Sequence, residues 1–493
     1  MIRTIAAISL TLTATAMAQE GRSTAPRIWD DKALEDWAAP IAAIGVRPGH
    51  FTSAEYYAVP GENLRTYPVY RPDREPPGYW DWLQKQKPEP LVDASKLRTR
   101  DDWVKAGANA FQTLAGSRDE IRDQEQIRVV RDPRSYEGIW TKPDGSLLTL
   151  RWVVTSDGVK LAGATCVGCH ARTHAADGTM IWGAAQAPFP AGFRDDRLVR
   201  RLTTSSDPIP FVFWQRFTVP WSPDERVEKL LDPREGDAIT RSFAQSVIRG
   251  VSPRADSSPF YIAKIPDLNN LHYSHYMDAT ATHRLRGPED VARYAAFVTG
   301  IDPMEFGEYK ILKPEQRKIT SRFADEVLYA IGVYLMALTP PKNPETAASA
   351  IVSRGQEIFK RESCVNCHVP PDYTSGKLTL AQGYAPPDDH PFSADIVNRS
   401  VGTDPGLALK TRKGTGFYKI PSLRGLWYRN LLLHDGSIAS LEEMFDPARL
   451  RPDHEPGGWK GPGVTKRAIP GHPFGLNLNT EDKGALLAFL RSL

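Results

Sequence analysis

The sequence has little cysteine, little net charge and no long apolar run in its interior. Its 493 residues include four cysteines, and they are all used in two short motifs, which leaves none for a separate disulfide framework. The 62 basic and 59 acidic residues give a formal net charge of +3, which excludes a nucleic-acid binder that relies on neutralising phosphates. Apolar residues at 41% and charged residues at 25% are typical of a folded globular protein.

The first 18 residues have the pattern of an export signal. Arg3 precedes an apolar or small-residue stretch over 5–15, and Ala16-Met17-Ala18 fits a small-x-small cleavage site. The stretch is shorter than the ~20 residues that span a bilayer. We therefore expect a signal peptide at 1–18 and a periplasmic or secreted protein without a membrane span after cleavage.

The four cysteines form two Cys-x-x-Cys-His motifs. The residues are Cys166, Cys169 and His170 in the first motif, and Cys364, Cys367 and His368 in the second. Two thiols at this spacing can reach the two vinyl groups of one haem, and the following His can then ligate its iron. The pattern predicts two covalently bound c-type haems, with His170 and His368 as iron ligands.

Other uses of paired thiols fit the sequence less well. A zinc site needs no His directly after each pair, and a thioredoxin-type disulfide belongs in a βαβ context that neither motif has. Two structural disulfides over such short loops would remove little unfolded-state entropy.

A coarse internal repeat surrounds the motifs. Helical patterns before each motif carry Gly107-x-x-x-Phe111 and Gly355-x-x-x-Phe359, and each copy ends in an amphipathic helical pattern. A glycine removes the side chain at a helix crossing, so each first helix can lie close against a last helix. This order of first helix, cysteine pair and last helix is typical of a cytochrome c unit.

The repeat defines the expected organisation. Strand-forming residues over 147–155, flanked by turn pairs, indicate a small β insert in the first unit. We expect a mainly α protein with an irregular segment at 19–100, a cytochrome c domain at 101–340 with the insert at about 117–163, and a second domain at 341–493. The prolines of segment 19–100 favour irregular structure over helix.

The second axial ligands are less constrained. For the second haem the candidates are His472, His434 and Met444, with an open iron as a further alternative. His472 lies between Gly471 and Gly475, which let the backbone approach a flat ligand closely. For the first haem, the corresponding stretch 269–286 offers several His, Tyr and Met side chains. No one residue stands out there, so an open distal face is an alternative. The candidates for a catalytic role are Tyr276, Met277 and His283.

One segment carries a family resemblance. Lys419-Ile-Pro-Ser-Leu-Arg-Gly425, followed by His434-Asp-Gly-Ser-Ile-Ala-Ser-Leu-Glu-Glu443, resembles the segment shared by bacterial dihaem cytochrome c peroxidases, MauG-type enzymes and rubber oxygenases. The ending Gly471-His-Pro-Phe-Gly475 is most similar to the rubber-oxygenase branch. The peroxidases and MauG-type enzymes have a Met or Tyr ligand fourteen residues after the His that matches His434, and here that position is Ala448.

The resemblance implies several roles. It implies His472 as the distal ligand of the second haem, Arg424 beside a haem propionate, and an oxygen-binding first haem covered by residues that match Tyr276 and Met277. It also implies a structural calcium, which the sequence does not assign to residues.

Two functions follow from these features. One is an exported dihaem oxidoreductase that transfers electrons with a periplasmic redox partner. The other is a peroxidase or oxygenase that acts at an open first haem, with the second haem as an electron relay. The oligomeric state is not set by the sequence.

Overall fold

Helices and short strands alternate along the chain. The computed structural model describes residues 25–40, 44–116, 120–121, 124–137, 141–164, 166–174, 178–185, 217–230, 248–252, 258–344 and 347–493. Of these residues 33% are helical and 14% are in strands, so helix exceeds strand. The expected signal peptide at 1–18 lies outside the described residues. No described helix has both the length and the hydropathy needed to cross a bilayer.

The described part contains twelve α-helices. They are α1 (Asp31–Trp37), α2 (Ser53–Ala58), α3 (Tyr79–Leu83), α4 (Arg100–Thr113), α5 (Gln124–Arg131), α6 (Glu225–Leu230), α7 (Pro288–Val298), α8 (Asp325–Ala337), α9 (Ser349–Arg361), α10 (Gly406–Leu409), α11 (Leu441–Met444) and α12 (Thr480–Ser492). Four of them, α4, α8, α9 and α12, are the helices that the repeat predicts, and they form the two main helix pairs.

Each pair crosses at a glycine. A Cβ built on Gly107 of α4 would lie 1.9 Å from the carbonyl oxygen of Ala330 in α8, and one on Gly355 of α9 would lie 2.0 Å from that of Ala485 in α12. Real Cβ atoms do not approach so closely, so only glycine allows these two backbones to meet. The prediction that each first helix packs on a last helix is confirmed.

The helix sequences explain their positions. Thr99 and Asp102 form a reciprocal capping box that starts α4. Helix α8 is apolar on nearly all sides, and Val327, Leu328 and Ile331 are almost fully buried, because α8 packs against both α4 and α7. A helix that is apolar all round belongs in a core.

The strands are short. They are β1 (Gly61–Glu62), β2 (Thr66–Tyr70), β3 (Glu120–Ile121), β4 (Ser146–Thr155), β5 (Gly158–Gly163), β6 (Ala171–Thr173), β7 (Met180–Trp182), β8 (Val251–Ser252), β9 (Ala263–Lys264), β10 (Glu305–Phe306), β11 (Tyr309–Lys310), β12 (Arg322–Phe323), β13 (Leu378–Leu380), β14 (Ile396–Ser400) and β15 (Phe417–Lys419). The largest sheet has the order β2-β4-β5-β3, and β14-β13-β15 form a second sheet.

The N-terminal segment is more regular than expected. Residues 19–100 were expected to be irregular, yet the described part contains α1 to α3, β1 and β2. Strand β2 pairs with the predicted strand β4 and places Pro68 opposite Arg151. Proline is tolerated there because β2 is an edge strand and needs no second set of ladder hydrogen bonds. The segment thus completes the sheet of the insert.

Candidate functional site

The two Cys-x-x-Cys-His motifs adopt the same turn. In each motif the carbonyl of the first cysteine accepts hydrogen bonds from the backbone N–H of the second cysteine and of the His. The N···O distances are 3.3 and 3.0 Å at Cys166, and 3.3 and 2.9 Å at Cys364. Motifs almost 200 residues apart therefore present two thiols and an imidazole in the same local arrangement.

Each motif packs against its own helix pair. Cys166 contacts the core cluster that contains Phe111 and Ile331, whereas Cys364 contacts the cluster that contains Phe359 and Phe489. None of the four cysteines forms a disulfide with another described cysteine. Within the described ranges no group of three or more His, Cys, Asp or Glu side chains converges as a metal site. The arrangement is thus one of thiol pairs beside apolar helix crossings.

His368 is oriented by backbone carbonyls. Its Nδ1 lies 3.2 Å from the carbonyl oxygen of Tyr373 and 3.1 Å from that of Pro421. An imidazole that donates from Nδ1 to a carbonyl keeps its Nε2 lone pair for a metal, and such a bond fixes both tautomer and ring orientation. His368 therefore fits the role of an axial iron ligand.

His472 lies on a tightly held loop. Its backbone is left-handed, with φ of 47°, and its N–H donates to the carbonyl of Val401 over 2.6 Å. A Cβ on the preceding Gly471 would lie 2.3 Å from the backbone nitrogen of Thr403, so only glycine fits this contact. The loop is therefore packed directly on the chain after β14.

The surroundings of His472 favour a neutral imidazole. Burial, the charge of His368 and the charge of Arg449 together lower the pKa of His472 to about 3. The buried Nδ1 of His472 has no hydrogen-bond partner among the described residues. A neutral buried imidazole keeps a nitrogen lone pair that can bind a metal.

Arg449 fixes this loop, and the sequence analysis missed it. The side chain is fully buried and donates from Nε to the carbonyl of Met444, from Nη1 to Ile469, and from Nη2 to Gly471 and His472, over 2.6–3.0 Å. Its bonds are to backbone carbonyls, so no pattern of side chains reveals them. The only sequence signal is its place directly after Ala448.

The other two ligand candidates differ in their surroundings. His434 stacks on Tyr418 with ring centroids 4.3 Å apart, and burial lowers its pKa. Met444 packs in the core cluster of α9 and α12, which Cys364 also contacts. Met444 thus shares the surroundings of the second cysteine pair, and the choice among His472, His434 and Met444 stays a prediction.

Two of the three candidates near the first motif lie side by side. The backbone N–H of Met277 donates to the carbonyl of His283 over 2.7 Å. Met277 is buried in the core cluster that Cys166 contacts, and the buried ring of His283 lies 4.0 Å from that of Trp37 in the same cluster. The Nδ1 of His283 lies 2.9 Å from the hydroxyl of Thr282. The side chain of Tyr276 belongs to another cluster and donates to Asp395 over 2.5 Å.

A buried ion pair holds the loop between Met277 and His283. Lys413 and Tyr294 each place a donor 2.5 Å from Oδ2 of Asp278, and Thr282 donates to the same oxygen over 2.9 Å. Lys413 is 1% exposed. The Asp278 carboxylate is thus held as the counter-ion of a lysine, which makes it a poor general base.

Arg424 lies beside the second motif. Its guanidinium donates twice to the carbonyl of Pro371, over 3.0 and 2.7 Å. The backbone carbonyl of Arg424 accepts a hydrogen bond from the side chain of Asn270 over 3.0 Å. Asn270 belongs to the stretch 269–286, so this bond joins that stretch to the segment beside the second motif. The guanidinium of Arg424 is thus held at Pro371, which follows His368 by three residues, and its role beside a propionate stays a prediction.

Comparison with protein-family models and with curated proteins gives no match. Among solved structures, the chain is similar to hydrazine synthase from Kuenenia stuttgartiensis, with a TM-score of 0.30 and 13% identity over 58% of this chain and 94% of that one. It is also similar to a MauG-like protein associated with microbial copper homeostasis, with a TM-score of 0.23 and 18% identity over 41% of this chain and 65% of that one.

A third solved structure is the dihaem peroxidase BthA from Burkholderia thailandensis, with a TM-score of 0.21 and 19% identity over 44% of this chain and 59% of that one. The match thus spans less than two thirds of the peroxidase and of the MauG-like protein. TM-scores this low do not place the chain in a family. The interpretation of the site therefore rests on the geometry of the motifs and of the loops around them.

Proposed function

We propose that the chain is an exported dihaem c-type cytochrome that works as a dihaem oxidoreductase. One observation carries the proposal: two Cys-x-x-Cys-His motifs with the same turn each pack against a helix pair that crosses at a glycine. The thiols of each motif would hold one haem, which when bound supplies reversible one-electron chemistry. The resemblance to the peroxidase, MauG and rubber-oxygenase superfamily, and to its rubber-oxygenase branch in particular, supports the same role.

The chain's own residues give the second centre a fixed coordination. His368, oriented by the carbonyls of Tyr373 and Pro421, supplies one imidazole, and His472, held by Arg449, supplies the other. Because the ring of His368 and the backbone of His472 are held by these contacts, the two residues would need little rearrangement when an electron arrives or leaves. This suits a relay and leaves no position for a substrate.

The first centre is the proposed place of chemistry if the protein is a peroxidase or oxygenase. Met277 supplies an apolar neighbour there, while Asp278 is held by Lys413. The alternative function, with an open first iron, follows from the resemblance, which implies an oxygen-binding first haem covered by residues that match Tyr276 and Met277.

The remaining proposals concern the context. A periplasmic location, a periplasmic redox partner and a structural calcium follow from the export pattern and from the resemblance. Among the described residues, no cluster of three or more acidic, His or Cys side chains marks a calcium site.

Optical spectra of the reduced protein with and without carbon monoxide test the function. A shift of one Soret band indicates one open iron and supports an enzyme, while two unshifted bands indicate a carrier.

The ligand assignment has its own test in two variants. His472→Ala is expected to remove the low-spin spectrum of the second haem, and His434→Ala is expected to preserve it. An unchanged spectrum in His472→Ala contradicts the proposed ligand.

A further inference from the structure

Two segments of the internal repeat have the same backbone fold. The first segment is 264–284 and the second is 419–439, and equivalent residues in them are 155 positions apart. Each segment begins with Lys-Ile-Pro and contains a single 3-10 turn, Leu271–Tyr273 in the first and Leu426–Tyr428 in the second. The two copies of the repeat therefore correspond residue by residue in this part of the chain.

Hydrogen bonds within the segments repeat in the same register. The N–H of Met277 donates to the carbonyl of His283 over 2.7 Å, and the N–H of Leu432 donates to the carbonyl of Ile438 over 2.8 Å. The two donors are equivalent positions in the repeat, and so are the two acceptors. The loop after each 3-10 turn is thus closed by the same internal contact.

The two segments also exchange backbone hydrogen bonds with each other. The N–H of Lys264 donates to the carbonyl of His434 over 2.8 Å, and the N–H of Lys419 donates to the carbonyl of Ala279 over 2.8 Å. His434 and Ala279 are again equivalent positions. A contact that each partner makes with the same residues of the other is isologous, as in a two-fold symmetric dimer.

The lysine side chains repeat this exchange. Nζ of Lys264 donates to the carbonyl of Leu431 over 3.2 Å, and Nζ of Lys419 donates to the carbonyl of Tyr276 over 3.0 Å. Leu431 and Tyr276 are equivalent positions as well. Each lysine is therefore bonded to the other copy twice, once through its backbone and once through its ammonium group.

Both ammonium groups rely on these carbonyls. Burial lowers the pKa of each lysine to about 8, so both stay mostly protonated at neutral pH. The carboxylate that acts on Lys419 is Asp278, which is paired with Lys413 over 2.5 Å. A charged donor that is removed from water needs hydrogen-bond acceptors, and the other copy supplies them. The charged groups that act on Lys264 are two carboxylates and two cations: Asp267, Asp435, Arg429 and Lys419.

Lys419 connects the surroundings of the two cysteine motifs. It lies two residues before Pro421, whose carbonyl oxygen is 3.1 Å from Nδ1 of His368. Its ammonium group donates to the carbonyl of Tyr276, and the next residue, Met277, packs in the core cluster of the first motif. A segment that orients the His of the second motif thus also holds a loop beside the first.

Lys264 belongs to a segment that is tied to the first motif. The N–H of Leu268, four residues after Lys264, donates to the carbonyl of Gly183 over 2.8 Å, and the N–H of Gly183 donates to the carbonyl of His170 over 2.9 Å. Each lysine is therefore anchored beside one motif and bonded to the other copy of the repeat. A change in either contact would shift one motif relative to the other.

We propose that Lys264 and Lys419 position the two haem centres relative to each other for electron transfer between them. This role rests on the proposed function, because it requires a haem on each motif. Electron transfer slows steeply as the distance between two centres grows, so a small displacement of one motif changes its rate. Both lysines act as positioning residues, through the segments that hold the motifs.

Electron transfer between the haems of the dihaem protein tests this role. Pulse radiolysis reduces one haem, and the absorbance of both haems then follows the equilibration between them. Methionine replaces lysine with a side chain of similar length that donates no hydrogen bond. We expect Lys264→Met and Lys419→Met to slow the transfer by similar factors, and Lys264→Met/Lys419→Met to slow it by about tenfold or more.

Lys377→Met is the matched control. The ammonium group of Lys377 donates to the carbonyl of Ala394 over 3.1 Å, and both residues lie in the second copy of the repeat. The variant loses the same type of hydrogen bond without touching the contact between the copies, so we expect the parent rate. The absorption spectra of all variants are expected to keep the axial ligation of the parent, which separates a displaced haem from a lost ligand.

Hydrogen exchange followed by mass spectrometry measures the contact between the copies directly. We expect the backbone amides of Lys264 and Lys419 to be protected in the parent and to exchange faster in the double variant. The amides of Met277 and Leu432, whose hydrogen bonds are internal to each segment, are expected to stay protected in both proteins. This pattern separates a loosened contact from a segment that has unfolded.

Three results would overturn the role of the lysines. They are a parent rate of electron transfer in the double variant, an equal slowing in Lys377→Met, and free exchange of either lysine amide in the parent. A failure of the haem assignment would appear as missing haem absorption in the parent and would leave the hydrogen exchange as expected, so the two proposals can fail separately.

Discussion

Removing the clamp at Arg449 is expected to destabilise the protein and release His472. The guanidinium is buried and makes four hydrogen bonds to the carbonyls of Met444, Ile469, Gly471 and His472. A hydrogen bond from a charged donor contributes about 1.5–3 kcal/mol, and such contributions do not simply add. Arg449→Leu leaves four buried carbonyls without this donor, so we expect the free energy of unfolding to fall by about 3–5 kcal/mol.

The assay is urea unfolding followed by circular dichroism, together with the absorption spectrum of the second haem. Arg451→Leu is the matched control, because Arg451 is exposed and pairs with Asp453 over 2.8 Å. An exposed pair contributes about 0–1 kcal/mol, so this variant is expected to unfold like the parent. The role of Arg449 is contradicted if Arg449→Leu lowers the free energy of unfolding no more than Arg451→Leu does and leaves the low-spin spectrum of the second haem intact.

Two further predictions concern the core. Gly355→Val places side-chain atoms against the Ala485 carbonyl, which lies 2.0 Å from a built Cβ, and should lower the free energy of unfolding by about 3 kcal/mol or more. The control Gly484→Ala, where no atom lies within 4 Å of a built Cβ, should raise it by up to ~1 kcal/mol. Similar melting temperatures of the two variants would contradict the close crossing of α9 and α12. Lys413→Met removes the cation paired with the Asp278 carboxylate and should lower the free energy of unfolding, measured in urea, by about 3–5 kcal/mol. The double variant Lys413→Met/Asp278→Asn should recover part of this loss. Full stability of the single variant would contradict a buried ion pair.

The helix pairs could be predicted because their signals are local. A glycine and an aromatic residue four positions apart lie on one helix face, and both Gly107 and Gly355 mark the point where two backbones meet. The strand β4 was predicted for a similar reason, since its strand-forming run is flanked by turn pairs. The domain boundaries at 340 and 341 stay predictions, because contacts between elements do not test them.

Other features depend on contacts that sequence patterns do not encode. Lys413 and Asp278 are 135 residues apart, and the sequence around each of them does not predict a buried ion pair. Arg449 binds backbone carbonyls, which every residue carries. Pro68 favoured irregular structure in the sequence analysis, but it lies in β2, and an edge strand tolerates proline. In each case the deciding partner is far away in the chain or is backbone.

The central claim is that both cysteine pairs carry haem through thioether bonds. The most direct measurement is intact mass spectrometry of the exported protein after denaturation, followed by peptide mapping of the motifs at Cys166 and Cys364. We expect a mass increase of two haems, one on each motif. An unmodified polypeptide mass, or haem on only one motif, would contradict it.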